Sequence, residues 1–276
     1  MLGWRNKTRN RASDVARRPA ALRRDRDLEA AIAGDRIMIR FQPQIEPRSG
    51  RIVGVEALAR WADVADPEAL FARAAAAGLS ERLSRAIQRK ALGLAGQWTG
   101  ALAALRLSIN ILPQDLDRPG FEVWLIDEMR IANVDPKRVT VEIIESALLS
   151  DRPAVAGRLA FLRERGVEIA VDDFGTGYAN LVYLTSLPLD AIKIDRAMVA
   201  DLVGRARDRI VVKAMIAMAR ELGLKTVVEG VESVAQLDLI SGWGCDLYQG
   251  FLGAGALDVS ELTRFVTTSN ALADAA

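Results

Sequence analysis

Glu56, Asn110, Glu142 and the adjacent pair Asp172-Asp173 each sit at the end of a short apolar run, and the runs recur at about the spacing of one strand plus one helix. Brought together, these side chains offer oxygen ligands. Crowded carboxylates are costly unless a cation neutralises them, so the set predicts a hard divalent metal. The chain has no histidine and one cysteine, Cys245. Zinc hydrolase centres, Ser-His-Asp triads and thiol-imidazole pairs are thereby excluded, and a general base has to be a carboxylate or a lysine. Oxygen ligands favour Mg²⁺ or Mn²⁺, and the chemistry that fits is metal-assisted.

Such residues must be positioned by strands whose ends converge. Segments 37–45 and 51–61 flank the turn Pro47-Arg48-Ser49-Gly50 and read as a hairpin-like first strand pair. Strands follow at 105–110, 139–145, 167–173, 191–195, 225–229 and 245–249. Helical patterns lie at 27–34, 67–77, 80–98, 121–132, 152–165, 178–186, 208–222, 234–241 and 259–269. This alternation is what a (β/α)₈ barrel of the α/β class requires. Period-two parity then sets the facing of single residues. Ser108 and Asn110 oppose Leu107 and Ile109, Glu142 opposes Val141 and Ile143, and Lys193 opposes Ile192 and Ile194. The polar members are expected to point into the barrel, at its mouth.

At 276 residues, half of them apolar, the chain suits one barrel domain, since such barrels run to about 250 residues. Net charge is +1, but residues 1–27 hold nine Lys/Arg against three Asp, which leaves +1 − 6 = −5 for the remainder. The basic start lacks the apolar core of a secretory signal and is expected to be a disordered tail or linker, open to protein or anionic-membrane contact. The barrel is assigned to 28–270, with 271–276 frayed. No segment has the roughly 18 uninterrupted apolar residues of a membrane span, and the lone thiol suits a reducing cytoplasm.

The run Glu56-Ala57-Leu58-Ala59-Arg60-Trp61 resembles the signature of the EAL domains, bacterial cyclic diguanylate phosphodiesterases. Further motifs of that family stand in order: Phe41-Gln42-Pro43, Ile109-Asn110, Val141-Glu142-Ile143-Ile144-Glu145-Ser146, Asp172-Asp173-Phe174-Gly175-Thr176-Gly177-Tyr178, Lys193-Ile194-Asp195, Glu229-Gly230-Val231-Glu232 and Gln249-Gly250. The likeness covers nearly the whole chain after residue 27. It implies a TIM-like barrel with an irregular antiparallel first strand. It also implies hydrolysis of cyclic di-GMP to linear pGpG at a two-metal site supported by Mg²⁺ or Mn²⁺, with Ca²⁺ inhibitory. Glu56, Asn110, Glu142 and Asp172 resemble the ligands of one metal, and Asp172 bridges to a second that Asp173 helps hold. Glu229 resembles the general base and Lys193 the cation that orients the water. Arg60, Gln42, Leu58 and Gln249 correspond to substrate-binding positions. Phe174, Gly175, Thr176 and Gly177 form the loop that couples the metals to dimerisation, anchored by Glu145. A homodimer binding cyclic di-GMP, without DNA or RNA duplex as partner, is the expected assembly. The alternative is a catalytically weak receptor or scaffold signalling through protein partners. The chain departs from the pattern at Ala59, Ile144, the run Ala74-Ala75-Ala76-Ala77-Gly78 and the segment after Gly250, none of which removes a metal ligand.

Overall fold

Eight strands close a barrel in chain order in a computed structural model that describes residues 24–64, 67–145, 152–176 and 182–275. They are β1 (Met38–Ile45), β2 (Ile52–Arg60), β3 (Arg106–Ile111), β4 (Val139–Ile144), β5 (Glu168–Phe174), β6 (Ala191–Ile194), β7 (Lys225–Val228) and β8 (Leu247–Tyr248). From β2 to β8 neighbours pair in parallel, whereas β1 is antiparallel to both β2 and β8. The expected irregular first strand is therefore present. It arises because β1 reaches β2 through a tight turn instead of a helical crossover. Gly50 takes φ +70° there, and the Glu46 carbonyl accepts from the Gly50 amide at 3.0 Å.

The helices cover the barrel through spaced apolar faces. Helix Ser80–Ala95, for example, buries Leu83, Ile87, Ala91 and Leu92 at three- and four-residue intervals. Outward-facing strand residues Leu107, Ile109, Val141, Ile143, Ile192 and Ile194 meet this layer and are at most 2% exposed.

The seam between β1 and β8 is held by one residue pair, Ile45 with Tyr248. The C-terminal segment reinforces it. Phe41 and Leu257 exchange two backbone hydrogen bonds of 2.8 Å, and Arg40 pairs with Asp258 at 3.2 Å and Glu261 at 3.0 Å. Asn270 both accepts from the Ile52 amide and donates to its carbonyl, at 2.8 and 3.1 Å.

The described fold reaches beyond the boundaries read from the sequence at both ends. The first helix is Arg26–Ala33, and the Asp25 carboxylate caps it by accepting from the Leu28 amide at 3.0 Å while pairing with Arg73. Residues 24–27 therefore belong to the fold, and the tail expected at 1–27 otherwise falls outside the described residues. The closing helix is Val259–Ala275, so positions 271–275 are helical and not frayed, because the Asp274–Arg51 pair and the Asn270 bonds tie the last turns to the hairpin. Short helices Pro113–Asp117 and Arg196–Val199 in the βα loops went unread, being too brief for periodicity. The helix expected at 178–186 is described as Val182–Ser186, its start lying outside the described residues.

Candidate active site and metal centre

The inward-facing polar side chains converge at the mouth. Lys193 and Glu142 are each 1% exposed, and Glu56 and Asp172 are buried beside them. The Lys193 ammonium is 2.7 Å from Glu229, 2.8 Å from Glu142, 3.0 Å from Asp172 and 3.3 Å from Glu56. Asn110 Nδ2 donates to Glu56 Oε1 at 2.8 Å, and Gln249 Nε2 donates to Glu56 Oε2 at 2.6 Å. Strand parity thus brings together residues from β2, β3, β4, β5 and β6 and from the ends of β7 and β8. Carboxylate oxygens of Glu56, Glu142 and Asp172 lie within 4.8 Å of one another, and so do those of Asp172, Asp173 and Glu229. Two groups sharing Asp172 could hold two hard cations.

Consecutive strand residues normally face opposite sides, so Asp172 and Asp173 should not both reach the mouth. The backbone resolves this. The β5–β6 register shifts between Val171 and Phe174, and Asp173 takes φ +56°, a left-handed conformation that Asp tolerates better than most residues. The bulge turns Asp173 to the same side as Asp172 and leaves Phe174 buried in the core, paired with Ile194.

Four carboxylates around one ammonium leave a surplus of negative charge. Burial pushes Glu229 up to about 8, with Asp172 and Glu56 adding repulsion that Lys193 only partly offsets. Burial also holds Glu142 well above the usual carboxylate range, against the pull of Lys193 and with Glu56 and Asp172 alongside. Asp173 is raised to about 6 by desolvation and by Asp172 and Asp195. Glu56 moves the other way. Burial would raise it, but Lys193 and the amides of Gln249 and Asn110 outweigh that and lower it. For Lys193, burial is overcome by the surrounding carboxylates, which keep the amine charged.

Above the cluster opens a cavity of about 690 Å³, lined among others by Gln42, Leu58, Arg60, Asp195, Glu232, Gln249 and Phe251. Glu56, Leu58 and Arg60 share one parity of β2 and all border it, and Arg60 Nη1 donates to the Ala59 carbonyl at 2.8 Å. Gln42 reaches the Ala254 carbonyl at 3.3 Å.

The loop after β5 turns at Gly175, φ +102°, where an added Cβ would lie 2.8 Å from Met215 Cε. Thr176 donates its hydroxyl to the Asp173 carbonyl at 3.0 Å, and Gly177 lies outside the described residues. Glu145 is 6% exposed, its carboxylate facing the Tyr183 hydroxyl and the Gly175 amide without a well-formed hydrogen bond to either among the described residues. Burial raises both the Glu145 carboxyl and the Tyr183 hydroxyl.

Sequence reasoning passed over four residues here. Gln44 donates to Ser108 Oγ at 3.4 Å and Glu142 Oε1 at 3.5 Å, beneath the cluster; its shared parity with Gln42 was the available signal. Asp195 and Glu232 close the Lys193-Ile194-Asp195 and Glu229-Gly230-Val231-Glu232 motifs and Phe251 follows Gly250, and the motifs alone give none of the three a role.

Residues 25–256 match the EAL domain family. This chain is similar to a cyclic di-GMP phosphodiesterase of Pseudomonas aeruginosa, 37% identical over 216 residues, which are 77% of this chain and 37% of that protein. It is also similar to the cyclic di-GMP phosphodiesterase NbdA of the same bacterium, 33% identical over 266 residues, 91% of this chain and 33% of that protein. The chain thus spans about a third of the length of these curated relatives. Among solved structures, the MucR phosphodiesterase of Pseudomonas aeruginosa in complex with c-di-GMP matches with a TM-score of 0.78 at 31% identity, over 86% of this chain and 98% of that one. A manganese and cyclic di-GMP complex of Klebsiella pneumoniae BlrP1 matches at 0.74 and 31% identity, over 81% and 56% of the two chains.

Proposed function

We propose, on the premise that this chain belongs to the EAL domain family, that it hydrolyses cyclic di-GMP to linear pGpG in a reaction that depends on Mg²⁺ or Mn²⁺. The observation that carries this reading is the pair of overlapping carboxylate groups, Glu56-Glu142-Asp172 and Asp172-Asp173-Glu229, packed around the buried Lys193. Names of relatives as cyclic di-GMP phosphodiesterases, and neighbours solved with that dinucleotide, support the substrate.

The donor set fits hard divalent ions: every charged donor is an oxygen, and four buried or half-buried carboxylates share a single ammonium, with burial first and neighbouring carboxylates second raising Glu142 and Glu229. Glu56, Asn110, Glu142 and Asp172 would hold one ion, and Asp172 and Asp173 the second. Bound there, the ions would polarise the phosphoryl group and acidify a water. The chain's own residues do the rest. Arg60 on the cavity wall binds a phosphate oxygen through its guanidinium. Glu229 accepts the proton of the attacking water, and Lys193, 2.7 Å from Glu229, fixes that carboxylate and balances charge at phosphorus. Gln249 keeps Glu56 oriented for its ion. Water adds to phosphorus as its proton passes to Glu229, one phosphoester bond breaks, and the ribose oxygen leaves as a hydroxyl by taking a proton from solvent, to which Glu229 returns its own.

Ca²⁺ supports little turnover, being larger and less strict in geometry. The homodimer belongs to the same proposal, with Glu145, whose carboxylate faces the Gly175 amide, as the link between metals and interface. No described helix is long and apolar enough to cross a membrane. A cytoplasmic site of action belongs to the proposal on the strength of its substrate, an intracellular messenger.

A chromatographic time course of cyclic di-GMP with Mg²⁺, Mn²⁺, Ca²⁺ or EDTA, run beside Glu56→Ala, tests the reading. Appearance of pGpG with Mg²⁺ or Mn²⁺, absent in EDTA and in the variant, is expected. Persistence of the dinucleotide in every tube despite calorimetric binding would replace the enzyme with a receptor.

A further inference from the structure

The buried face of helix Ser80–Ala95 is apolar except for Ser84 and Gln88, which stand one turn apart. Asp115, in the short helix Pro113–Asp117 that follows β3, meets them, and all three are at most 3% exposed. The Ser84 hydroxyl donates to Asp115 Oδ2. Gln88 Nε2 donates to Ser84 Oγ at 3.0 Å, to Asp115 Oδ2 at 3.3 Å and to the Asn110 carbonyl at 3.4 Å. All three neighbours of this amide are acceptors, so its nitrogen has to face them. Its Oε1 is left without a partner among the described residues. A buried amide with an orphaned oxygen costs stability that an apolar side chain of the same volume would not. What Gln88 contributes is therefore its contacts and not its packing.

Those contacts hold the site from outside the barrel. The β2–β3 register runs no further than Ala57 with Ile109, so ladder pairing on that side stops one residue short of Asn110. Gln88 takes hold of the next carbonyl. Asp115 then fastens the loop beyond it: the Leu112 amide donates to Asp115 Oδ2 at 3.2 Å, the Asp115 amide donates back to the Leu112 carbonyl at 2.9 Å, and Arg118 pairs with the other carboxylate oxygen at 3.3 Å. On the inner side, the donation from Asn110 Nδ2 to Glu56 at 2.8 Å leaves Oδ1 as the atom that Asn110 can offer an ion. We propose that Gln88, oriented by Ser84 and Asp115, is a positioning residue for Asn110, fixing from behind the strand the backbone that carries this ligand of the metal centre. The inference rests on the metal-dependent reading and deepens it. Groups that orient a ligand govern how tightly the ion is held, because the ligand's geometry is settled before the ion arrives.

Mn²⁺ binding to the whole chain, measured by calorimetry with thermal melts alongside, tests this in wild type, Gln88→Met, Ser84→Ala, Asn110→Ala and the double variant Gln88→Met/Asn110→Ala. Methionine keeps the unbranched shape of glutamine and removes the amide. Loss of a group that orients a ligand weakens metal affinity by about 10- to 100-fold, and Gln88→Met is expected in that range. In the Asn110→Ala background, where the carboxylates keep binding measurable, the same substitution changes nothing further, since its route to the ion is gone. Ser84→Ala removes the acceptor that orients Gln88 and weakens Mn²⁺ binding about fivefold, as for one lost hydrogen bond, which decides the matter if Gln88→Met does not fold. A role in packing alone lowers the melting temperature and leaves Mn²⁺ affinity where it was. Affinity of Gln88→Met and Ser84→Ala within about twofold of wild type, or a Gln88→Met loss undiminished in the Asn110→Ala background, overturns the positioning role while the metal-dependent reading stands. Asn110→Ala binding Mn²⁺ as tightly as wild type overturns it as well, with the carboxylates left as the ligands. If the wild type takes up no Mn²⁺, both readings fall.

Discussion

Substituting Gly250 by alanine tests how the site is fastened to the barrel. A Cβ built there would lie 2.2 Å from the Val231 carbonyl oxygen, 2.4 Å from its nitrogen and 2.8 Å from its carbonyl carbon. All three are backbone atoms, so no side chain can swing aside. Reaching an ordinary contact of about 3.4 Å from the oxygen requires a displacement of about 1.2 Å, since packed interiors do not yield by that much locally. Such a shift takes the Val231 amide off the Gln249 carbonyl and the Leu252 amide off the Val231 carbonyl, now at 3.2 and 3.0 Å. Two lost bonds at about 1 kcal/mol each, added to overpacking of about 1–3 kcal/mol, give roughly 3–5 kcal/mol, less whatever relaxation recovers. At about 2.1 cal/mol/K of unfolding entropy per residue, a chain of 276 residues then loses roughly 5–9 °C in melting temperature. Thermal melts followed by circular dichroism measure it, with Gly242→Ala as the control. Gly242 lies in a helix with nothing within 4 Å of an added Cβ and should be neutral or slightly stabilising. A Gly250→Ala melt within about 2 °C of wild type would refute the steric reasoning, because it would mean the backbone relaxes almost without cost.

Two further outcomes are expected. Glu229→Gln keeps the side-chain volume and the neighbourhood of Lys193 but removes the proton acceptor, so affinity for cyclic di-GMP stays within about threefold while kcat drops by roughly 10²–10⁴; equal loss in both, read by calorimetry and turnover, would assign Glu229 to binding instead. Asp25→Ala removes the cap of the first helix and the Arg73 pair, and chemical denaturation at pH 7 should register a loss of about 1–2 kcal/mol. The Asp25 carboxyl is held down from 3.8 to about 2, first by its hydrogen bond with Arg73 and then by the Leu28 amide. A depressed carboxylate stabilises the fold above its unfolded value and loses that contribution as pH falls, so the deficit of the variant should shrink between pH 3.8 and 2. A deficit constant down to pH 2 would show that the charge is irrelevant there.

The barrel and the facing of most site residues were legible because period two is a strong constraint: Ser108 and Lys193 point inward as their apolar neighbours require. The same rule fails for Asp173. Parity alone sends it to the opposite face from Asp172, and only the bulge with its positive φ brings both to the mouth. Nothing in the local residue pattern announces that bulge, since it depends on the register against β6. The helix ends were misjudged for a related reason. Residues 271–275, Ala-Leu-Ala-Asp-Ala, are good helix formers but too few to show a buried face, and what holds them in the helix is the reach of Asn270 and Asp274 to the first hairpin more than 200 positions earlier. Parity with Gln42 gives the inward facing of Gln44, but its partner Glu142 is set by the closure of the barrel.

That closure also bears on how the protein is made. The contacts joining β1 to the C-terminal segment span 218 and 221 positions, between Arg40, Asp258 and Glu261. Because synthesis proceeds from the N-terminus, the hairpin leaves the ribosome long before its partner exists, and its free edge must wait for the last strand and the helix that clasps it. Until then Glu56 and its neighbour Asn110 hang on an open sheet, without Gln249, which comes from the far side of the seam. The catalytic cluster therefore comes into being in one late event, when the chain's final stretch arrives, and a nascent or C-terminally clipped molecule would be a half-ring with neither a sealed interior nor a working mouth.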